Sequence, residues 1–288
     1  MKRKKSSPAS RVALRIGYFG AEGSYSSFAA EKRFAAEGAA TSPYPFMADL
    51  IRDLTAGDLD AAVLPIENSI GGWVVDILDL IHSDGYRRGG FRVVEEVTIP
   101  IVISLVGFAT LGRATKLYTH RYSLRCARSW LRSQRPDIEV IEVHNTAEAA
   151  AQAARDRDAV AFAHKNAALQ RGLPILIDEV PVEEGNSTRF IVVARKTLTK
   201  RRPTKTALLF TLRNKPGALH RMLGVLAREK LNLTRLHSHA LDAELEAYSF
   251  FVEIEAPASS AAMKRALARM PRHAEQLEIV GSFPVIAV

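Results

Sequence analysis

The sequence predicts an α/β protein with a larger N-terminal region and a smaller C-terminal unit. In the larger region, short apolar strands alternate with helices, which is typical of layered α/β folds with a mostly parallel sheet. This alternation stops after residue 194, and residues 205–288 then follow the order βαββαβ, the ferredoxin-like arrangement. A length of 288 residues is enough for about two domains with their own cores.

Five units of a strand followed by a helix occur in the larger region. The first has an apolar run over residues 12–18, a turn with two glycines, and a helix with Phe28, Ala29, Ala30, Phe34 and Ala35 at helical spacing. The later units pair 60–65 with 72–81, 116–118 with 124–131, 138–143 with 147–154, and 159–163 with 165–170. Ligands of such sheets bind beyond the carboxyl ends of the strands, so the turns into the helices are candidate binding sites.

The C-terminal unit follows a basic stretch that contains a proline. Its strands are predicted at 206–212, 232–236, 248–254 and 277–283, and its helices at 218–226 and 261–270. The predicted organisation is a disordered basic tail over 1–13, a region over 14–195, a linker over 196–204 and the unit over 205–288. Exposed edge strands pair readily with a second copy, so we expect a homodimer or homotetramer.

The net charge of +9 is concentrated in two short segments. Residues 1–15 and 195–205 each hold six basic residues and no acidic one, so the rest of the chain is slightly acidic. Such runs are typical of solvated tails and linkers, and we expect no nucleic-acid partner.

Cys126 is the sole cysteine, which excludes an intrachain disulfide and a cysteine-based zinc cluster. No apolar segment follows the basic start, and the apolar runs are shorter than the roughly 20 residues of a membrane helix. We therefore expect a cytoplasmic protein without a membrane partner.

Four strand-to-helix turns are rich in hydroxyl and amide side chains: residues 20–26, 65–69, 118–120 and 145–146. Glycine lets the backbone approach an anion, and helix N-termini supply free N–H groups and a favourable dipole. Together they suit a small polycarboxylate, although a single Ser or Thr before a helix is usually only an N-cap. A fifth segment, 186–190, contains Arg189, which can bind a carboxylate bidentately or form a surface ion pair.

In combination, these segments resemble prephenate dehydratase. The resemblance rests on Gly23-Ser24-Tyr25-Ser26, Pro65-Ile66-Glu67-Asn68-Ser69 and Thr188-Arg189-Phe190, in matching order over roughly residues 14–288. Asn214, residues 216–219 and residues 232–234 are similar to the ACT regulatory domain that follows the catalytic region in that family. No helical segment precedes residue 12, so we expect a monofunctional enzyme without a fused chorismate mutase.

The resemblance implies a periplasmic-binding-protein-like catalytic region of two lobes with the active site in the cleft between them. It also implies that prephenate is converted to phenylpyruvate, with loss of water and carbon dioxide, in L-phenylalanine biosynthesis. An amino acid, L-phenylalanine, is the implied allosteric effector. The reaction requires no metal or other cofactor.

The family's functional residues fall on matching positions of this chain. Thr188 is expected to hydrogen-bond the departing hydroxyl, Arg189 to hold a carboxylate or the shape of the site, and Asn68 to orient the substrate with Ser69 from the opposite lobe. The implied substrate-binding residues are Ser26, Glu67, Ser69, Thr119, His120, Thr146 and Phe190. The implied effector-binding residues are Asn214, Gly217, Ala218, Leu219, His237 and Ser238. Two roles for Glu67 stay open, a base and a buried structural carboxylate, and a helix start at residues 71–72 is expected to add its dipole.

Two segments depart from the family pattern. Residues 119–126 read Thr-His-Arg-Tyr-Ser-Leu-Arg-Cys where the family usually has Ser-His-Pro-Gln followed shortly by Gln-Cys, so Arg121 and Arg125 enter and the glutamines are lost. Residues 237–240 read His-Ser-His-Ala where Glu-Ser-Arg-Pro is expected, which removes the acidic partner of an effector's ammonium group. The hypothesis is that phenylalanine acts weakly. His237 and His239 share one face of a strand, but without a third ligand they predict no metal site.

Two alternative functions stay open at this point. Arogenate, which carries an amino group where prephenate has a keto group, is an alternative substrate. A non-catalytic regulator is the other alternative, because a two-lobed cleft with an ACT domain also suits a sensor.

Overall fold

The computed structural model describes residues 13–182, 185–240 and 247–287, so the predicted tail lies outside the described residues except for Ala13. The strands are β1 (Arg15–Phe19), β2 (Ala40–Tyr44), β3 (Ala61–Asn68), β4 (Gly72–Trp73), β5 (Arg92–Pro100), β6 (Ser104–Gly107), β7 (Lys116–Thr119), β8 (Glu139–Glu142), β9 (Ala159–Ala163), β10 (Ile175–Ile177), β11 (Ser187–Ala194), β12 (Lys205–Arg213), β13 (Leu233–Ala240), β14 (Ala247–Ile254), β15 (Gln276–Phe283) and β16 (Val285–Ala287). The helices are α1 (Tyr25–Phe34), α2 (Met47–Ala56), α3 (Val75–His82), α4 (Asp84–Arg88), α5 (Arg121–Gln134), α6 (Thr146–Arg155), α7 (Lys165–Leu169), α8 (Ala218–Arg228) and α9 (Ala261–Arg269). None of the helices in the described ranges is long and apolar enough to cross a membrane.

The first lobe is built on a sheet with the order β16-β5-β11-β3-β1-β2, and β4 pairs with the end of β3. The pairs β1–β2, β1–β3 and β5–β16 are parallel, whereas β11 is antiparallel to both of its neighbours. The sheet is therefore mixed, and the prediction of a mostly parallel sheet is wrong. The reason is that β11 re-enters the first lobe from the second lobe, in the opposite direction to β3.

The second lobe has the strand order β10-β6-β9-β7-β8. Strand β7 is parallel to β8 and β9, and β6 is antiparallel to β9. Helices α6 and α7 pack on this sheet through alanines, which let a helix backbone come close to the strands. The chain enters this lobe after β5 and leaves it before β11, so two crossings join the lobes.

The C-terminal unit has the predicted order βαββαβ, with an antiparallel sheet β13-β14-β12-β15. Helices α8 and α9 cover the face that carries Phe210, Phe250 and Val252. The third predicted element begins at Leu233 and runs to Ala240 rather than ending at 236. The described residues between Ala194 and Lys205 contain neither helix nor strand.

The other face of that sheet packs on the first lobe. Leu209, Phe251 and Phe283 are buried in one hydrophobic cluster with Leu50 of α2 and Ile191 of β11. After β15, the chain returns to the first lobe as β16 and pairs with β5. The C-terminal unit thus shares a core and a sheet with the first lobe.

Gly281 marks the closest approach of β15 to the first lobe. A Cβ atom added at Gly281 would lie 2.1 Å from the carbonyl oxygen of Val93, which is backbone and cannot rotate away. We expect Gly281→Ala to lower the free energy of unfolding by about 1–3 kcal/mol, the usual range for overpacking. Chemical denaturation measures this change.

Gly224→Ala is the matched control for Gly281→Ala. Nothing lies within 4 Å of a Cβ atom added at Gly224, which is inside α8. Alanine favours a helix over glycine by about 1 kcal/mol, so this variant should be more stable than the parent. Equal stabilities of the two variants would argue against the close packing of β15 on β5.

Candidate active site

A cavity of about 240 Å³, here called the cleft cavity, opens between the two lobes. It is lined by Ser24, Tyr25, Ser26, Pro65, Asn68, Ile101, His120, Tyr122, Ser123, Asn145, Thr146, Asn186, Thr188 and Phe190. The turns that follow β1, β7 and β8 therefore surround one cavity together with the ends of β3 and β11. All five segments that the sequence analysis selected contribute to this lining.

Three helices begin at the cleft cavity. Ser24 caps α1 by accepting a hydrogen bond from the Ser27 amide, and Asn145 caps α6 by accepting one from the Glu148 amide. No side chain caps α5, which follows His120. The amides of its first turn are therefore free of a side-chain cap, and all three helix dipoles favour negative charge in the cavity.

Thr188 projects from β11 into the cleft cavity. Asn68 lies opposite it on β3 and donates from Nδ2 to Thr188 Oγ1 at 3.0 Å. The Oδ1 atom of Asn68 accepts from the amides of Ile70 at 3.1 Å and Gly71 at 2.8 Å, which fixes the orientation of the Asn68 amide. Because the Thr188 oxygen accepts this bond, its own proton is left to donate into the cavity.

The expectation that Asn68 and Ser69 act from the opposite lobe is wrong. They lie in the same sheet as Thr188, because β3 and β11 are antiparallel neighbours. Ser69 does not line the cleft cavity: its hydroxyl accepts from the Ser187 amide at 3.0 Å and donates to Asn186 Oδ1 at 3.3 Å. Ser69 thus ties the ends of the two strands together.

The expected helix start at residues 71–72 is also wrong. Gly72 and Trp73 form β4, which pairs back onto Asn68 and Glu67, and α3 begins only at Val75. The backbone amides of residues 70 and 71 donate to Asn68 Oδ1, which stabilises a tight turn. After this turn the chain runs back along β3 as β4 instead of starting a helix.

Arg189 lies on the face of β11 opposite to Thr188, because successive strand residues alternate. Its guanidinium contacts Glu67 at 2.5 Å, Glu96 at 2.6 Å and Glu253 at 2.6 Å. It does not line the cleft cavity and does not reach a substrate carboxylate there. Of its two expected roles, only the shaping of the site is compatible with this position.

Glu67 faces the same side as Arg189 and does not line the cleft cavity either. Its carboxylate also contacts Arg235 at 2.9 Å. Burial acts to raise the pKa of Glu67, but Arg235 and Arg189 outweigh it and hold the pKa below its usual value. This environment is that of an ionised structural carboxylate rather than of a base.

Four of the predicted substrate-binding residues line the cleft cavity: Ser26, His120, Thr146 and Phe190. Thr119 does not, because it is fully buried and its hydroxyl donates to the His120 carbonyl at 3.2 Å. The candidate site residues named from the sequence omitted eight residues of this lining: Ser24, Tyr25, Pro65, Asn145 and Asn186, which lie in the selected segments, and Ile101, Tyr122 and Ser123. Tyr122 and Ser123 lie in the first turn of α5, and the lack of a capping residue before this helix is a sequence signal that could have found them. Ile101 is an isolated apolar residue, and no sequence signal marks it.

The cleft cavity is lined by apolar surface and by hydroxyl and amide side chains, and none of its described lining side chains is charged at neutral pH. Burial and the neighbouring Arg121 lower the pKa of His120, so the imidazole is neutral at neutral pH. The other described lining residues carry no group that is charged there. An anion in this cavity is therefore stabilised by N–H and O–H donors and helix dipoles, not by an ion pair.

His164 lies behind α1, against the rings of Tyr25 and Phe28 at centroid distances of 5.0 and 4.6 Å. Burial, assisted by Lys165, lowers its pKa to about 4. The unfolded chain binds a proton at this histidine below about pH 6.5, so the unfolded state holds more protons between pH 6.5 and 4. Stability should fall by about 3 kcal/mol as the pH decreases through that window.

His164→Asn tests this dependence, because asparagine can still cap α7 as His164 does through the Asn166 amide. The free energy of unfolding, measured from pH 7 to pH 4, should decrease less steeply in the variant than in the parent. Parallel profiles would mean that His164 does not set the dependence.

The predicted effector residues lie in two separate parts of the C-terminal unit. Gly217, with φ of 76°, caps the start of α8, and Ala218 lines a surface cavity of about 380 Å³ with Arg213, Arg221 and His273. His237 and Ser238 lie on β13, and β14 separates β13 from β12. The chain on its own does not bring the two groups of residues to one pocket.

The side chain of His237 faces the first lobe, where its ring lies 5.6 Å from that of Trp73. His239 lies 4.9 Å from the His82 ring, and its Nδ1 is 3.5 Å from the Asp79 carboxylate. Among the described residues no group of three or more His, Cys, Asp or Glu side chains is arranged to hold a metal ion.

Comparison with known proteins identifies two sequence families along the chain. The prephenate dehydratase model matches residues 16–198, and the ACT domain model matches residues 206–272. A bifunctional N-acyl-homoserine lactone acylase/prephenate dehydratase of Komagataeibacter europaeus is 33% identical over 93% of this chain and 95% of its own length. Arogenate dehydratase 5 of Arabidopsis thaliana is 30% identical over 96% of this chain and 69% of its own length.

A solved structure of a prephenate dehydratase has the same fold as this chain. The prephenate dehydratase of Arthrobacter aurescens, in complex with L-Phe, superposes with a TM-score of 0.84. The match is 26% identical and covers 94% of this chain and 90% of that protein. The expected two-lobed fold with a C-terminal ACT domain is confirmed.

Proposed function

The chain belongs to the prephenate dehydratase family, and on that premise we propose that its cleft cavity converts prephenate to phenylpyruvate, carbon dioxide and water. The observation that carries this proposal is the Thr188 hydroxyl, which accepts from Asn68 and keeps its proton for a ligand in the cavity. The reaction belongs to the biosynthesis of L-phenylalanine, and we place it in the cytoplasm, where a protein with a single cysteine and no intrachain disulfide is usual.

The reaction requires a hydrogen-bond donor at the hydroxyl oxygen that leaves the substrate. The bond from the ring to its carboxylate breaks, the electron pair moves through the ring, and the bond from the opposite ring carbon to the hydroxyl breaks. The hydroxyl leaves with one added proton as water. Thr188 donates a hydrogen bond to that oxygen as negative charge develops on it. Because an alcohol is a weak acid, the proton itself comes through water.

The substrate carries two carboxylates, and the cleft cavity offers anion donors from both lobes. The uncapped amides at the start of α5 and the hydroxyl of Thr146 approach from the second lobe. Ser26, at the start of α1, approaches from the first lobe. Phe190, Pro65 and Ile101 supply the apolar surface against which the ring lies.

The first test is the formation of phenylpyruvate from prephenate by the purified full chain, followed by the absorbance of the product in alkali. Turnover that depends on enzyme concentration supports the proposal. No turnover with prephenate, arogenate or an acyl-homoserine lactone, together with calorimetric binding of prephenate, would favour a non-catalytic regulator instead.

The cleft cavity favours prephenate over arogenate. Arogenate carries an ammonium group, and none of the described residues that line the cavity is a carboxylate. An ammonium group would therefore lose its hydration without gaining an ionic partner. We expect kcat/KM for prephenate to exceed that for arogenate, and the reverse order would assign the chain to the second substrate.

An amino-acid effector is the other part of this proposal. The ACT domain carries residues 214–219 in the turn after β12 and at the start of α8, whereas His237 and Ser238 lie on β13, so we propose that two copies of the chain, in a homodimer or homotetramer, complete the effector site. With His237 where an acidic residue is usual, phenylalanine should bind weakly. Tight calorimetric binding of phenylalanine would contradict this, and analytical ultracentrifugation would give the oligomeric state.

A further inference from the structure

Two adjacent cross-strand pairs of the first sheet face in opposite directions. Asn68 lies opposite Thr188, and this pair points into the cleft cavity. The next pair, Glu67 opposite Arg189, points toward the ACT domain. Because the two pairs are consecutive residues of the same two strands, a backbone shift at the second pair also shifts the first pair.

The ACT domain contacts both members of the second pair. Both carboxylate oxygens of Glu253, on β14, lie 2.6 Å from an Arg189 guanidinium nitrogen. Arg235, on β13, lies 2.9 Å from the Glu67 carboxylate. Glu253 is 0% exposed and Arg189 is 8% exposed, so water does not compete for these bonds.

The charges of this ion cluster balance, which explains why it can be buried. It consists of Arg189, Lys205, Arg235, Glu67, Glu96 and Glu253. Burial acts to lower the pKa of Arg189, but Glu96 and Glu253 outweigh it and raise the pKa above its usual value. Arg189 stays charged, and removal of one carboxylate leaves excess positive charge inside the protein.

We propose that Glu253 of the ACT domain is a positioning residue for the dehydratase centre and acts through Arg189 on the hydroxyl of Thr188. This inference rests on the proposed function. Without the Glu253 carboxylate, Arg189 is held only by Glu67 and Glu96, which both belong to the first lobe, and the guanidinium loses its direct ion pair with the ACT domain. The Thr188 hydroxyl then shifts relative to the leaving oxygen of the substrate, to which it donates a hydrogen bond.

The test compares Glu253→Gln with Glu95→Gln in the full chain. Glu95 is also 0% exposed, lies beside Glu96 on β5, and forms a buried ion pair with Arg33 rather than with Arg189. Both variants break a buried ion pair, so a general loss of stability affects both. Displacement of a reacting group by about 1 Å can cost about 100-fold in rate.

We expect kcat of Glu253→Gln to fall about 10- to 100-fold with little change of KM, because the donors that bind the substrate are untouched. Glu95→Gln should keep kcat within about threefold of the parent. Glu253→Asp, which retains the carboxylate, should recover most of kcat. Equal kcat values for the two glutamine variants, or no recovery by aspartate, would overturn the proposal.

A readout without turnover separates this inference from the proposed function. The side-chain amide of Asn68 donates to Thr188, so its ¹⁵N–¹H signals, assigned by their loss in Asn68→Asp, report the geometry of that pair directly. Glu253→Gln should shift these signals, and Glu95→Gln should leave them in place. If the parent fails to convert prephenate, the dehydratase proposal fails, but the Asn68 signals still test the coupling between Glu253 and Thr188. Asn68 signals that do not shift in Glu253→Gln would overturn the coupling.

Discussion

Replacement of Thr188 with valine should reduce kcat for prephenate by about 10²–10³-fold or more, the cost of removing one preorganised donor from a developing charge. Valine has nearly the shape of threonine, so the packing of β11 changes little. The variant also leaves the Nδ2 group of Asn68 with one acceptor fewer, although Asn186 Oδ1 at 2.7 Å still receives it. The measured quantity is the rate of phenylpyruvate formation at saturating substrate.

Thr188→Ser is the matched control for this prediction. Serine keeps the hydroxyl and loses only a methyl group, so we expect kcat within about tenfold of the parent. If the valine variant instead retains parental kcat, Thr188 does not donate to the leaving oxygen, and the donor must come from another group in the cleft cavity.

Phe251→Ala should have the largest effect on stability among the substitutions considered. Phe251 is 1% exposed, and its ring packs edge-on against Trp73 of the first lobe at a centroid distance of 5.8 Å. Loss of a buried phenylalanine side chain costs about 3–5 kcal/mol. The hydrophobic cluster around Phe251 contains residues of both the first lobe and the ACT domain. Calorimetry should therefore show the first lobe and the ACT domain losing stability together.

Phe250→Ala provides the comparison, since Phe250 is the next residue and points to the other face of the same sheet. Its ring stacks on Phe210 at 5.5 Å, inside the cluster beneath α8 and α9. That variant should destabilise mainly the ACT domain, and limited proteolysis should then cut there first. If Phe251→Ala behaved in the same way, the shared core would not couple the two parts.

The sequence predicted the elements whose side-chain pattern is local. The glycine turn before α1, the Asn145 cap of α6 and the βαββαβ order of the C-terminal unit follow from the spacing of apolar, glycine and capping residues. The segments that form the cleft cavity could be selected in the same way, because each lies directly after a strand.

The direction of a side chain in a mixed sheet could not be predicted in this way. Whether Arg189 or Thr188 faces the cavity depends on which strand pairs with β11 and in which register, and this is a long-range property. The same holds for Glu67, whose partner Arg235 is 168 residues away along the chain. Residues 70–72 carried a further ambiguity, because glycines begin a turn as readily as they precede a helix.

The parallel pairing of β16 with β5 has a consequence for biosynthesis of the polypeptide. Strand β5 is made early, but its outer edge stays unpaired until the whole ACT domain has emerged from the ribosome and delivered β16. An open strand edge is a template for pairing with other chains. During translation, the nascent first lobe therefore exposes a site for intermolecular association that chaperones would have to shield, and synthesis of the last strand removes it.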